Sequence, residues 1–230
     1  MDPSRKRREV WKFISFAMIL SSIFMIYPIL YSIYLSLHTM QGLQSVFVGL
    51  DNYVRMFQDT IFHKALFNNF VFLIFQVPIM VFLGLLLAFV LNTPKLVGRT
   101  FFKLALFLPS VTSLVSYAVL FKMMFQIGGI INRDLLAIGI IQQPLDWLNS
   151  PFWAKVTVII ALCWRWTGYN MIFYLAGLQN ISDDTLEAAD IDGANSFQKF
   201  FRIIIPQLKP VIVFTTITST IGTIQLFDEV

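Results

Sequence analysis

The sequence predicts an all-α protein that crosses a membrane several times, because of its composition and the distribution of its apolar residues. Of its 230 residues, 57% are hydrophobic and 13% are charged, whereas about a quarter of the residues in ordinary soluble domains are charged. The apolar residues, which include 24 Phe, form five long segments with few or no charges. Each segment reaches or approaches the ~20 residues that a helix needs to cross the ~30 Å hydrocarbon core of a bilayer.

The five predicted spans cover approximately residues 13–37, 70–91, 104–121, 156–178 and 211–227. The first is longer than the ~7–15-residue apolar part of a signal peptide and no small-residue cleavage site follows it, so we expect a retained helix. Only the fourth contains a charge, Arg165. Because the chain stops abruptly after the fifth span, we expect that it is truncated before a sixth helix.

The distribution of Lys and Arg between the loops predicts the orientation, since cytoplasmic loops carry an excess of these residues. With the N-terminus in the cytoplasm, the inside segments hold eleven Lys and Arg and the outside segments hold five. We therefore expect a cytoplasmic loop over residues 179–210 and an external segment over residues 123–154. The Gly, Pro and Asn residues of the external segment are typical of a short helix and turns at the membrane interface.

Several classes of function are disfavoured by what the sequence contains. The basic residues flank apolar runs and form no patch interleaved with aromatics, so no nucleic-acid partner is expected. With Cys163, His38 and His63 as its complete set of Cys and His residues, the chain offers no zinc-type ligand cluster, and we expect no metal or other cofactor. It also has no Gly-Lys-Ser/Thr sequence and no nucleophile–base–carboxylate set, so it is predicted to be neither an NTPase nor another enzyme.

The predicted cytoplasmic loop contains signals for two short helices set at an angle. Asp184 and Glu187 have the spacing of a capping box, which predicts that the first helix begins at Thr185. Gly193 stands where a left-handed residue would end that helix. Asn195 or the next residue could then cap a second helix. An apolar stripe follows at helical spacing and could anchor the loop to the helical bundle; it consists of Phe197, Phe200, Phe201 and Ile204.

The same loop carries a spaced pattern that resembles the EAA loop of permease subunits in binding-protein-dependent ABC importers. The pattern consists of Glu187, Ala188 and Ala189, then Gly193, then Ile203, Ile205 and Pro206. Ile205 stands where the family pattern has Leu. Further segments are similar to the maltose-type carbohydrate permeases of this family; they are residues 27–29, 48–53, 107–110, 175–179, 191–194 and 225–228. The resemblance covers essentially the whole chain.

This resemblance implies the transmembrane fold of type I ABC importers, in the inner membrane of a prokaryotic cell. It divides the chain into residues 1–64, with the first helix and an external loop, and residues 65–230, the importer core with its coupling loop. The implied partners are cytoplasmic ABC ATPase subunits, a second homologous permease, an extracytoplasmic solute-binding protein and the lipid membrane. The implied cargo is a small solute, most simply a sugar. A phosphorylated polyol or a polyamine is the alternative within the class, and a secondary transporter is the alternative outside it.

Five residues are candidates for the solute pathway: Arg165, Trp166, Tyr169, Ser219 and Gln225. A charge near the middle of a span costs ~2.5–3.5 kcal/mol, so Arg165 should face a wet pathway or pair with a neighbouring carboxylate. Ser219 and Gln225 belong to a polar stripe that could bind sugar hydroxyls or simply join helices. Trp166 and Tyr169 could stack on a sugar ring or belong to an interfacial aromatic belt.

Overall fold

The computed structural model describes residues 3–42, 44–93 and 96–226. By its internal contacts the chain divides into two compact units, Met1–Leu66 and Phe67–Val230. Each unit is described separately.

The first unit contains the predicted first span, a hairpin and a short helix. Its elements are α1 (Pro3–Ser21), a π-helical turn (Ser22–Ile26), α2 (Tyr27–Ser36), β1 (His38–Gln41), β2 (Gln44–Phe47) and α3 (Asp51–Gln58). The apolar helical stretch Ile14–Ser36 is long enough to cross a membrane, in agreement with the predicted span. The two strands pair antiparallel, and this hairpin was not predicted because four-residue strands of mixed polarity show no alternation.

The start of α3 is tied to the end of the first span by side chains of Asn52 and Tyr53. The Asn52 Nδ2 atom donates to the carbonyl oxygens of Ser36 (2.9 Å) and His38 (2.8 Å). The Ser36 and Tyr53 hydroxyls lie 2.7 Å apart. The bond to Ser36 satisfies a carbonyl group that the end of α2 leaves without an intrahelical partner.

The second unit is a helical bundle. It contains most of α4 (Thr60–Asn92), whose first residues belong to the first unit. The other helices and turns are α5 (Arg99–Phe107), a 3-10 turn (Leu108–Val111), α6 (Leu114–Phe125), α7 (Ile130–Ala137), α8 (Pro151–Leu178), α9 (Asp183–Ile191), α10 (Ser196–Lys199), a π-helical turn (Phe200–Ile204), α11 (Ile205–Gln207) and α12 (Lys209–Ile224). In the described residues four helical stretches are long and apolar enough to cross a membrane, and the pair Ser196–Gln207 and Lys209–Ile224, bent by 72°, makes a fifth if it counts as one span. The all-α multi-spanning prediction is confirmed.

Helix α8 lies at the centre of this bundle. Its Met171 and Tyr174 side chains are fully buried. They pack in one apolar cluster with residues of α4 and with Leu208, which precedes α12. The core therefore joins α4, α8 and α12, three elements that are far apart in the sequence.

The third predicted span is not one helix over residues 104–121. The apolar helical stretch that is long enough to cross a membrane here is Leu114–Ala137, which extends into the predicted external segment 123–154. The predicted helix is interrupted after Phe107 by the 3-10 turn. Thr112 then adopts extended backbone, and α6 begins after its N-cap residue, Ser113. Pro109 lies in that turn, and a proline lacks the N–H group that a continuous helix needs.

The second and fifth spans also differ from their predicted bounds. The second is a 33-residue helix that contains Pro78, much longer than residues 70–91. The fifth, predicted over residues 211–227, begins at Lys209 and ends at Ile224. Its predicted end, Phe227, lies outside the described residues.

Segment 123–154 contains the predicted short helix and turns, organised around one buried amide. Asn132 on α7 is 1% exposed. Its Nδ2 atom donates to the carbonyls of Ile127 (3.0 Å) and Leu145 (2.9 Å), and its Oδ1 atom accepts from Leu145 N (3.0 Å) and Trp147 Nε1 (2.9 Å). A fully satisfied buried amide fixes one arrangement of the turns around it.

Candidate functional site

A groove with mixed polar and apolar walls lies between α4, α8 and α12. Its cavity volume is about 480 Å³, within the usual ~300–1,000 Å³ of small-molecule sites. The lining residues are Gln76, Met80, Leu162, Trp166, Tyr169, Asn170, Thr218, Ser219, Gly222, Thr223 and Leu226. None of these lining residues is charged.

The polar groups of the groove connect its three walls. Asn170 Nδ2 on α8 donates to the Ser219 hydroxyl on α12 (3.2 Å). The Thr223 hydroxyl on α12 lies 3.2 Å from Gln76 Oε1 on α4. These bonds hold the helices together, and each amide still has further donor or acceptor capacity.

The polar stripe of α12 divides between packing and lining. Thr215 is buried, and its hydroxyl lies 2.6 Å from the Tyr174 hydroxyl in the bundle interior. Thr218, Ser219 and Thr223 line the groove. The stripe therefore joins helices through Thr215, Ser219 and Thr223, and binding of a sugar by the groove residues stays a prediction.

Two aromatic rings of α8 lie along the groove. The Trp166 and Tyr169 rings meet edge to face, with centroids 5.8 Å apart. Tyr169 is 40% exposed. An exposed ring face beside amide and hydroxyl groups can contact an apolar surface while those groups bind polar atoms.

The structure brings three of the five predicted pathway residues together in the groove. Trp166, Tyr169 and Ser219 line the groove, whereas Arg165 and Gln225 are not among its lining residues. Gln225 is exposed at the end of α12. Arg165 lies on another face of α8, where its Nη2 atom donates to the Thr112 carbonyl oxygen (3.2 Å) rather than to a carboxylate.

Sequence reasoning missed Gln76 and Asn170. Both side chains are buried, with exposures of 3% and 2%. The sequence did contain an indication of both residues, because an amide side chain within a long apolar helix usually faces another helix or a polar cavity.

The loop between α8 and α12 begins with α9, whose start differs from the prediction. The helix begins at Asp183 with Ser182 as its N-cap residue, so the predicted start at Thr185 is wrong. The Ser182 and Thr185 hydroxyls lie 2.7 Å apart. The start at Asp183 places Asp184 in the first turn, where the helix dipole favours a negative charge.

The end of α9 has the predicted left-handed glycine. Gly193 has a φ of 77°, and its N–H group donates to the Asp190 carbonyl (3.0 Å), while the Ala194 N–H group donates to the Ala189 carbonyl (2.9 Å). This pair of bonds is the Schellman motif. A Cβ atom placed on Gly193 would have no neighbour within 4 Å, so the turn is open to its surroundings.

The second helix of the loop is capped by Asn195, one of the two predicted residues. The Asn195 side chain accepts from the Gln198 N–H group (2.8 Å), and the Gln198 side chain accepts from the Asn195 N–H group (2.9 Å). The Lys199 Nζ atom also lies 2.6 Å from the Asp190 Oδ1 atom. The pair connects α10 to the end of α9.

The predicted phenylalanine stripe is only half correct. Phe200 and Ile204 are buried in the core, but Phe197 is 71% exposed and Phe201 is 44% exposed. The π-helical turn over Phe200–Ile204 has more residues per turn than an α-helix. The α-helical spacing therefore does not hold beyond Phe200, whereas Phe197 precedes the turn and lies in α10.

The residues of the EAA pattern divide into an exposed and a packed group. Glu187, Ala188, Gly193 and Pro206 are exposed, Ala189 is buried, and Ile203 and Ile205 are half-buried. Leu186 and Ile205 pack against the core cluster. Thus α9 contacts the bundle on one side and presents Glu187 and Ala188 on the other.

Comparison with known sequences identifies the family. The sequence profile described as "Binding-protein-dependent transport system inner membrane component" matches residues 62–230. The chain belongs to this family. Its permease fold is also that of a solved structure titled as a bacterial ABC transporter involved in the import of the acidic polysaccharide alginate, with a TM-score of 0.78 and 26% identity over 96% of this chain and 74% of that one.

Among curated relatives, the permease is 56% identical over 220 residues to the lactose transport system permease protein LacF of Rhizobium radiobacter. It is 35% identical over 209 residues to the arabinooligosaccharides transport system permease protein AraP of Bacillus subtilis. These matches cover 96% and 90% of this permease. The chain spans 74% of the length of LacF and 66% of the length of AraP. Both relatives are transport proteins rather than enzymes, as predicted for this chain.

Proposed function

We propose that this permease forms part of the membrane pathway of an ATP-driven importer for a sugar. The observation that carries the proposal is the loop over residues 179–210, in which the EAA pattern forms an exposed helix and turn joined to the core of the bundle. The relatives named for lactose and arabinooligosaccharide transport support a sugar as the cargo.

The groove between α4, α8 and α12 has the chemistry that a sugar requires. Gln76 and Asn170 can donate and accept hydrogen bonds, as sugar hydroxyls also do. The Tyr169 ring offers an apolar face to the C–H side of a sugar ring. The lining residues carry no charge. A phosphorylated polyol would be bound best by a positively charged side chain and a polyamine by a negatively charged one, so the groove suits a neutral sugar better than either.

The loop is the proposed contact with a separate ATPase. Ile191 and Phe197 are 87% and 71% exposed, an apolar surface next to the small side chain of Ala188 and the open turn at Gly193. Such a surface favours burial against a partner protein. Because Leu186 and Ala189 pack on the bundle side, a displacement of the loop by the ATPase would be passed to α8 and α12.

The remaining partners and the orientation follow from this assignment. The permease acts with ABC ATPase subunits, a second homologous permease and an extracytoplasmic solute-binding protein. A solved structure of the alginate ABC transporter includes an alginate pentasaccharide-bound periplasmic protein, which supports the last of these. We place the N-terminus and loop 179–210 in the cytoplasm, and the importer core in residues 65–230.

Uptake by the reconstituted importer tests the function. Proteoliposomes that contain the permeases and ATPase are supplied with binding protein and radiolabelled lactose or arabinooligosaccharide. We expect uptake that requires both the binding protein and ATP on the ATPase side. Uptake that persists without ATP and follows an ion gradient would show a secondary transporter instead.

A further inference from the structure

The break between α5 and α6 leaves one backbone carbonyl outside the helical ladder. Helix α6 begins at Leu114, and its first backbone hydrogen bond runs from Tyr117 N to Ser113 O (3.0 Å). The Thr112 carbonyl therefore lies one residue before Ser113, the N-cap residue of α6. A carbonyl group without a partner is costly within a membrane, where water is not at hand.

Arg165 supplies the partner for this carbonyl. Its Nη2 atom donates to Thr112 O (3.2 Å), and its guanidinium carbon lies 5.0 Å from the Tyr117 ring centroid and 5.4 Å from that of Trp166. The residue is 8% exposed. Its buried Nε and Nη1 atoms have no hydrogen-bond partner among the described residues. The charge is thus held by one carbonyl and two aromatic faces, an arrangement that stabilises a cation.

Helix α8 also contacts the other side of the break. A Cβ atom placed on Gly168 would lie 1.8 Å from the carbonyl oxygen of Leu106, so α8 and the end of α5 meet backbone to backbone. Gly168 is one helical turn from Arg165. Gly168 thus contacts the end of α5, before the break, and Arg165 binds Thr112, after it. Both segments are therefore held against α8.

We propose that Arg165 is a positioning residue for transport: it binds the Thr112 carbonyl, just before α6, and makes α5 and α6 move together with α8. The proposal rests on the proposed transport function, in which the loop that follows α8 is displaced by the ATPase. Arg165 does not line the groove, so its contribution is to the rate of the conformational step and not to solute affinity. The hydrogen bond from a charged donor is stronger than a neutral one, which suits a contact that must persist during that movement.

The test compares Arg165→Met, Arg165→Lys and the control Lys122→Met in the assembled importer in lipid nanodiscs. Lys122 is an exposed cation near the end of α6, so its replacement removes a positive charge without touching the break. Hydrogen–deuterium exchange is measured on peptides that cover residues 108–120, and uptake gives the maximal rate and the apparent KM. In Arg165→Met we expect exchange about tenfold faster, as loss of a charge-assisted hydrogen bond implies, a lower maximal rate and an unchanged KM. Arg165→Lys should fall between wild type and Arg165→Met, and Lys122→Met should match wild type.

Two results would overturn the proposal. One is wild-type exchange and wild-type uptake in Arg165→Met; the other is a raised KM with unchanged exchange, which would make Arg165 a solute contact. If Arg165→Met does not accumulate, Arg165→Gln takes its place. Its amide is uncharged but is still a donor, so we expect a smaller rise in exchange, a lower maximal rate and an unchanged KM, and the contrary outcomes are the same. The exchange measurement needs no transport. Failure of the proposed function would therefore appear as absent uptake in the wild type, and failure of this proposal as unchanged exchange in the variant.

Discussion

Replacing Gly168 with alanine should destabilise the permease through one contact. The added Cβ would lie 1.8 Å from the Leu106 carbonyl oxygen and 2.5 Å from its carbonyl carbon. Both atoms belong to the backbone, so no side-chain rotation relieves the clash, and α8 and α5 must separate by about 1 Å in a closely packed interior. Overpacking of this kind costs ~1–3 kcal/mol, and the backbone contact places Gly168→Ala near the upper end of that range.

The assay is thermal unfolding of the purified permease in detergent, with Gly222→Ala as the matched control. A Cβ on Gly222 in α12 would have no neighbour within 4 Å, and alanine is favoured over glycine within a helix by ~0.5–1 kcal/mol. Gly168→Ala should therefore lower the unfolding midpoint, and Gly222→Ala should leave it equal or higher. Equal midpoints for Gly168→Ala and wild type would refute the close approach of α8 and α5.

Two further predictions concern topology and the groove. In a Cys163→Ala background, Ser196→Cys and Asp134→Cys, both at exposed positions, should react with an impermeant maleimide from the cytoplasmic and the external side, respectively. Labelling of both from the same side would contradict the topology. Tyr169→Ala should weaken uptake about tenfold by loss of a stacking face while solute-independent ATP hydrolysis stays at the wild-type rate. Wild-type uptake in that variant would argue that the sugar does not contact this ring.

Local chemistry in the sequence predicted local structure well. The left-handed turn at Gly193 and the capping by Asn195 depend on a few neighbouring residues, so they could be derived without the fold. The start of α9 could not be derived in the same way, because Ser182 and Asp184 both have side chains that suit an N-cap. The stripe beginning at Phe197 failed in part because Phe197 lies at the start of the four-residue α10, where the exposure of a side chain depends on tertiary packing and not on helical spacing.

Features that join distant helices were not predictable. The Gln76 and Thr223 side chains meet across 147 positions of the chain, and apolar periodicity within one helix says nothing about such a pair. The partner of Arg165 is a carbonyl released by a break in another span, whereas charge reasoning led us to expect a carboxylate or water. The existence of each span followed from its apolar composition, but its bounds depended on packing and on residues such as Pro109.

The most direct test of the central claim, that loop 179–210 couples the permease to its ATPase, is solute-stimulated ATP hydrolysis by Gly193→Val. A side chain in the left-handed conformation costs ~1–2 kcal/mol, and valine adds bulk to the open surface of the turn. Gly139→Val is the matched control. Like Gly193, Gly139 has a positive φ (75°) and no neighbour within 4 Å of an added Cβ, but it lies in segment 123–154 and not in the loop. With rates normalised to the permease in the membrane, Gly193→Val should lose most of the stimulation and Gly139→Val should keep it. Full stimulation in Gly193→Val, or equal loss in both variants, would contradict coupling through this loop.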